Sequence, residues 1–384
     1  MSHPVPYHVP YYRELARRPD IDLEVLYSHN HGLKPTFDAG FGREVKFDVP
    51  LLEGYPHKFP RNYARNPGFA FSGQINPEIP LAVARGDYDA IVVGGYQYLT
   101  SVAALFIPRL NRRTKVLLRS ESTLFEPRSL GVRLLKEVVI RAIYANVDHF
   151  LAIGAKSKEY FQAYGVPASK ITVSPYTVDN DYFFERSAAA RRDPDTARKQ
   201  LGLPVGVPLF LYCSKVLPHK RPLDVLRGFA IARRAAPCAL AFVGDGAQLP
   251  ELEAEITRLG LGRDVHLLGF RNTSELPGIY GATDVFIQAS EREPWGMVVN
   301  EAMACGAAIC ASDRVGSAYD LIRDNGAIFP VGDVERLGAI LGAWAREPAK
   351  IAAMKRASLQ RIAQWGVSQT ADGIIAGVHA ALDS

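Results

Sequence analysis

Cysteine is scarce in this chain: four in 384 residues, at Cys213, Cys238, Cys305 and Cys310. None forms a CxxC pair and three sit in apolar runs, so they read as small buried thiols in a reducing cytoplasm rather than as a disulfide framework. No His/Cys group has the spacing of a zinc site. Long apolar runs are missing too. The longest, around residues 102–107, falls far short of the ~20 residues that a membrane span needs. The opening Met1-Ser2-His3-Pro4 has neither a charged n-region nor an apolar h-region, which implies no secretory signal. Charge of one sign is not in large excess. There are 45 Lys+Arg against 40 Asp+Glu, a net +5 without dense basic clusters, so nucleic acid is not an expected partner.

What remains is the composition of a soluble enzyme, 48% hydrophobic and 22% charged, in a chain long enough for two or three cores. Short apolar, β-branched runs alternate with longer amphipathic ones. Strands are predicted around 22–28, 90–96, 115–121, 149–154 and 171–176, then around 208–214, 240–244, 265–270, 284–290, 307–311 and 326–330. Helices are predicted between them. In the one at 333–346, Leu337, Ile340, Leu341 and Trp344 fall at i, i+3, i+4 and i+7 behind a possible N-cap, Asp333. Apolar strands separated by helices imply parallel sheets covered on both faces. The fold class is therefore α/β, with two doubly wound, Rossmann-like domains facing across a cleft. The expected division is residues 1–180, rejoined by a C-terminal helix at 367–384, and residues 181–366, with the seam in 174–203, where 187–200 is polar and carries no strand signal. In such sheets ligands bind beyond the carboxyl ends of the strands.

Two segments sit at such strand ends and carry chemistry. Ser290-Glu291-Arg292-Glu293-Pro294-Trp295-Gly296-Met297-Val298-Val299-Asn300-Glu301 turns at Pro294–Gly296 and then enters a short helix that stops at Gly306. A helix start presents free N–H groups and partial positive charge, which suits a phosphate. Glu293 and Glu301 flank that anion site without filling it. Alternatively, this is a surface turn with solvated glutamates. In Ser214-Lys215-Val216-Leu217-Pro218-His219-Lys220, the two lysines bracket a loop that leads into a helix, and can neutralise a diphosphate and the charge that grows as it leaves. A basic loop in water is the plainer alternative.

With these motifs the second half resembles the donor domain of glycosyltransferase family 4, retaining enzymes of GT-B architecture. Glu293 and Glu301, with seven residues between them, match its paired-glutamate motif. Lys215 stands where the family usually has Arg, keeping the charge but losing the guanidinium fork. Val243-Gly244-Asp245-Gly246, Leu268-Gly269-Phe270 and Tyr280-Gly281-Ala282-Thr283-Asp284 are similar to other family landmarks, and likeness in the first half runs from His3-Pro4 through Gly54-Tyr55.

The resemblance implies that Glu301 binds ribose hydroxyls and Glu293 a hydroxyl of the donor sugar. Lys215, Lys220 and the backbone of Gly296, Met297 and Val298 would hold the diphosphate. The backbone near Phe270, Arg271 and Asn272 would meet the base, and Trp295 joins this donor set. Glu293, Lys220 and Lys215 are the catalytic candidates. The substrates implied are a nucleotide-diphosphate sugar and a sugar or lipid-linked acceptor, with no cofactor and no metal required. On the acceptor side, Arg119 and Glu121 follow a strand, while His3 and His8 lie in a Pro-rich loop; each has a merely structural alternative. The basic and apolar segment 128–141, with Arg128, Arg133, Lys136 and Arg141, either is a solvated helix face or makes a weak peripheral contact with the inner membrane surface. Asp20-Ile21-Asp22, Asp87-Tyr88-Asp89 and Asp179-Asn180-Asp181 look like metal-binding DxD motifs but fit turn and cap chemistry.

One departure from the pattern concerns the first sheet. A strand expected mid-sheet would lead to His3-Pro4, and only Met1 and Ser2 stand there, so either the true start lies upstream or this domain has an empty slot in its first sheet. Rival readings are a sugar-nucleotide-binding protein impaired in catalysis, or an epimerase or phosphorylase of the same fold.

Overall fold

The computed structural model describes residues 1–38, 40–107, 113–125 and 130–384. They form two compact units. Unit 1 comprises Met1–Lys34, Pro50–Tyr176 and Val367–Ser384; unit 2 comprises Pro35–Val49 and Thr177–Gly366.

In unit 1, four parallel strands pair in sequence order: Ala90–Gly94, Lys115–Ser120, His149–Ala152 and Ile171–Val173. The central pair is apolar on both faces. Leu117, Leu118, Leu151 and Ala152 are wholly buried, as a sheet covered on both sides requires. The C-terminal helix Val367–Leu382 lies on this sheet so closely that a Cβ at Gly377 would stand 2.4 Å from Leu151 Cδ2. A second, two-stranded parallel sheet pairs Val25–Leu26 with His57–Lys58. Between the sheets lie Met1 and Ser2. The Met1 amino group donates to Leu26 O at 2.7 Å, Ser28 N donates to Met1 O, and Met1 Sδ abuts Gly94. Among the described residues no strand joins the two sheets.

Unit 2 holds a six-stranded, all-parallel sheet. Its order is Val265–Leu267, Ala239–Val243, Leu209–Cys213, Val285–Gln288, Ala308–Ser312 and Gly326–Phe329. In chain order that is 3-2-1-4-5-6, the dinucleotide-fold arrangement. Its topological switch point lies between Leu209–Cys213 and Val285–Gln288. The two segments singled out in the sequence are the loops that leave these two strands. Helix Val334–Ala345 packs against Pro222–Ala235 through Leu337 and Leu341, both wholly buried, and Asp333 caps it by accepting from Arg336 N at 2.8 Å.

The polar stretch 187–200 lies in helices Asn180–Arg192 and Pro194–Gln200. There buried Arg198 bonds Ala282 O, Val207 O and the Asp284 carboxylate. One local reading differs from the sequence expectation. Residues 35–49, expected in the first domain, pack with unit 2 as an antiparallel hairpin, Thr36–Asp38 with Arg43–Val45. Polar contacts far apart in sequence hold it: Asn272 Nδ2 donates to Lys46 O at 3.0 Å, and Ser274 Oγ bonds the Asp48 carboxylate.

Candidate functional site

In unit 2 the two switch-point loops converge on one ion pair. The Lys220 ammonium bonds the Glu293 carboxylate. Gln288 Nε2 donates to the same oxygen at 3.2 Å, and Ser290 Oγ approaches it at 3.5 Å. The pair is oriented from both sides. Glu293 is clamped by backbone bonds to the neighbouring strand-end loop, its N–H to Arg314 O and its carbonyl to Gly316 N, both 2.9 Å. Lys220 ends a 3₁₀ turn, Pro218–Lys220, followed by Arg221 in the left-handed region at φ 58°. A non-glycine residue held there is strained, and such strain concentrates where a loop must hold a fixed shape.

Three residues past Glu293, Gly296 turns the chain at φ 93° into helix Met297–Ala304. No described side chain caps this helix, so its first-turn N–H groups are open to an anion. Ser317 Oγ is buried close to Gly296 with no hydrogen-bond partner among the described residues, and neither has Gln288 Oε1. Deeper in the helix, Glu301 is 2% exposed and accepts from Tyr280 OH at 3.0 Å. Burial pushes its carboxyl up to about 7, against the opposing effect of the Tyr280 bond.

Lys215 leaves the end of strand Leu209–Cys213. Its backbone is fixed by Tyr212 OH donating to its carbonyl at 2.8 Å. The Val243–Gly246 turn supports it: Gly244, at φ 134°, lies so close that a Cβ would stand 2.0 Å from Ser214 O. The Lys215 ammonium does not reach the Lys220–Glu293 pair. It forms a bidentate ion pair with Asp38 of the hairpin, at 2.8 and 2.9 Å, and lies over the Phe41 ring. Phe41 also meets Phe270 edge-on at 5.0 Å, and Arg43 lies over Phe270. Arg271 bonds Leu268 O and Glu275, and Asn272 the Lys46 carbonyl. The hairpin thus covers the segment read as base-binding.

Trp295 differs from the sequence reading. Its ring is 3% exposed, stacks on Trp365 and donates to Asn300 Oδ1 at 2.9 Å, so it anchors the turn from inside. Sequence reasoning missed Asp38, Phe41, Tyr280, Gln288 and Ser317. Only Tyr280, within a quoted landmark, carried any signal.

Unit 1 brings three of its four candidates together. His8 Nε2 lies 3.0 Å from Tyr176 OH, which donates to Glu121 Oε1 at 2.6 Å. The Arg119 guanidinium packs over Tyr11 and Tyr176 and bonds Tyr11 OH, Ser174 O and Pro175 O. Burial, then the Arg119 charge, holds His8 well below its ordinary value, so the ring is neutral. His3 stands apart among His29, His31 and Phe69, with burial lowering it to about 4. Arg128 lies outside the described residues, as do the side chains of Arg133, Leu134 and Leu135. Lys136 lies over Tyr160, and Arg141 pairs with Glu137. Among the described residues no helix is long and apolar enough to cross a membrane. Nor is any group of three or more His, Cys, Asp or Glu placed to hold a metal ion. Asp179 of the third DxD caps helix Asn180–Arg192.

Alr3699/HepE of Anabaena, solved in complex with UDP, superposes at TM-score 0.72 with 18% identity, covering 99% of this chain and 100% of that one. Sucrose-phosphate synthase of Thermosynechococcus elongatus superposes at 0.64, with 21% identity over 92% and 87% of the chains. The fold is that of GT-B glycosyltransferases. A family model, glycosyl transferases group 1, matches residues 193–361, which hold Lys215, Lys220, Glu293 and Glu301. Among curated proteins, D-inositol 3-phosphate glycosyltransferase of Segniliparus rotundus is 29% identical over 228 residues, 58% of this chain and 49% of that protein. N-acetyl-alpha-D-glucosaminyl L-malate synthase of Bacillus anthracis is 30% identical over 154 residues, 39% of each. The chain spans about half the length of the curated relatives it matches.

Proposed function

We propose that the protein is a retaining glycosyltransferase that moves a sugar from a nucleotide-diphosphate donor to an acceptor hydroxyl. The observation that carries this reading is the Lys220–Glu293 pair set before the uncapped start of helix Met297–Ala304, with Glu301 buried along the same helix. The diphosphate takes the helix N–H groups and the Lys220 ammonium, and the ribose hydroxyls bond Glu301. Glu293, released from Lys220, accepts a hydroxyl of the donor sugar. As the glycosidic bond breaks, charge grows on the leaving phosphate, where Lys220 and the helix start stabilise it most strongly. The departing phosphate oxygen takes the acceptor proton, and the new bond forms on the face it vacates. The chemistry asked of the protein is orientation and electrostatic support, with no metal needed.

Phe270, Arg271 and Asn272 receive the base, which requires the hairpin to shift from Phe270. In unit 1, His8, Arg119 and Glu121 serve the acceptor, a sugar or lipid-linked sugar, and the protein works in the cytoplasm, in weak peripheral contact with the inner membrane face. Crystals of a GT-B neighbour hold UDP and UDP-glucose, which makes UDP-sugars the first donors to try. Each UDP-sugar is incubated with candidate acceptors and the product's anomeric configuration read by proton NMR. A product with the donor's configuration supports the proposal. An inverted product, or donor consumption giving an epimer and no transfer, overturns it.

A further inference from the structure

The amino ends of the unit 2 strands lie opposite the donor loops. There, helices Asn180–Arg192 and Pro348–Ile362 and the turn at Gly306 line an open cavity of about 480 Å³, within the range of small-molecule pockets. Its place is fixed by Lys355, which bonds Thr283 O and the Asp284 carboxylate immediately before strand Val285–Gln288. A strand of this length puts about 13 Å between the cavity and the donor loops.

The lining is charged in one sense. Arg191, Arg192, Lys355 and Arg356 stand over an apolar wall of Phe184 and Leu359, and no acidic side chain lines the cavity. Asp284 pairs with Lys355 from below, but it also holds Arg198 at 2.6 Å and Leu209 N at 2.9 Å. Among the described residues, Arg192 and Arg356 make no ion pair. Arg191 is pre-set: its Nε donates to Ser187 Oγ at 3.1 Å, its Nη2 to Phe184 O at 2.7 Å, and its guanidinium lies 3.9 Å from the Phe184 ring centre. Burial holds it below its ordinary value, with the Cys305 thiol opposing that shift and the Arg192 charge adding to it. A neighbouring cavity of about 390 Å³ shares Lys355 but is lined by Asp195 and Asp284, and has no such surplus.

We propose that the cavity between Asn180–Arg192 and Pro348–Ile362 is a second anion site, which takes the phosphate of a phosphate ester on Arg191, Arg192 and Arg356. Guanidinium forks match phosphate oxygens in pairs, better than a lysine does. Phe184 and Leu359 give the ester's carbon skeleton an apolar surface. The ester is either a free phosphorylated small molecule or a phospholipid headgroup.

The test uses the full chain with excess UDP, so that the proposed donor site is filled, and inorganic phosphate as probe. Arg192→Gln/Arg356→Gln alters two exposed side chains and is expected to fold; Arg356→Gln alone is the second variant. Calorimetry should show phosphate binding at least tenfold weaker in the double variant and weaker to a lesser degree in the single one, with UDP affinity unchanged. Cosedimentation with phosphatidylglycerol vesicles but not phosphatidylcholine vesicles, lost in the double variant, identifies a headgroup. Arginine-dependent phosphate binding without cosedimentation identifies a free ester. If wild type and double variant bind phosphate equally, or wild type binds neither phosphate nor vesicles, the site is refuted. Should UDP itself not bind, the donor reading fails, while the phosphate comparison still reports on this cavity.

Discussion

Replacing Glu301 by glutamine should strengthen the fold and weaken its ligand binding at once. Glu301 is 2% exposed, and burial raises its carboxyl from the usual 4.5 to about 7. In the unfolded chain it titrates near 4.5. Between those values the folded protein binds the extra proton, so its stability falls as pH rises through the window. At about 1.36 kcal/mol per pH unit, the ionised carboxylate costs roughly 3 kcal/mol above pH 7. Glutamine resembles the protonated acid, can still accept from Tyr280 OH, and never ionises. Glu301→Gln should therefore match wild type at pH 4.5 and exceed it by roughly 3 kcal/mol at pH 8, some 5–10 °C in unit 2 melting. Binding should move the other way. Losing a charged partner for ribose hydroxyls costs roughly 1.5–3 kcal/mol, about ten- to a hundredfold in nucleoside diphosphate affinity. Scanning calorimetry at pH 4.5 and 8, with a UDP titration at pH 8, tests both halves. A stability difference that does not change with pH would refute the burial argument; a stabilised variant with unchanged UDP affinity would remove Glu301 from the ribose.

Three further outcomes are expected. Lys220→Ala should lower turnover more than Lys220→Arg, because a cation beside the leaving phosphate matters most in the transition state; steady-state kinetics giving equal losses would mean that shape, not charge, is needed. Asp38→Asn frees Lys215 from a partly exposed ion pair worth up to about 1 kcal/mol, so nucleoside diphosphate should bind up to about fivefold tighter by calorimetry. Weaker binding would mean that Asp38 positions Lys215 for the ligand instead of competing with it. Gly244→Ala would place a methyl group 2.0 Å from Ser214 O at φ 134°, and urea unfolding should show a loss of at least about 2 kcal/mol, with the Lys215 loop displaced.

Much of the fold could be read from the chain because strands buried on both faces leave a continuous apolar signature. The runs at 208–214 and 284–290 became Leu209–Cys213 and Val285–Gln288, and their following loops sit at the switch point because the 3-2-1-4-5-6 order reverses there. Contacts made across long sequence separations left no local trace. Asp38 meets Lys215 177 residues away, and the hairpin carrying it joins unit 2 through polar bonds that no periodicity announces. Trp295 was misplaced because an aromatic beside a helix-starting glycine looks the same whether it faces a ligand or, as here, Trp365. His8, Tyr176 and Glu121 form one hydrogen-bonded chain, though in sequence His8 is only a histidine in a Pro-rich loop.

The central claim is that Glu293 and Glu301 divide the donor between them, sugar to one and nucleotide to the other. Titrating UDP and UDP-glucose into wild type, Glu293→Ala and Glu301→Ala tests it most directly. Wild type should bind both ligands. Glu293→Ala should lose about ten- to a hundredfold for UDP-glucose and almost nothing for UDP, while Glu301→Ala should lose about that much for both. A wild-type protein that binds no nucleoside diphosphate, or a Glu293→Ala variant that loses UDP as strongly as Glu301→Ala does, would contradict the account.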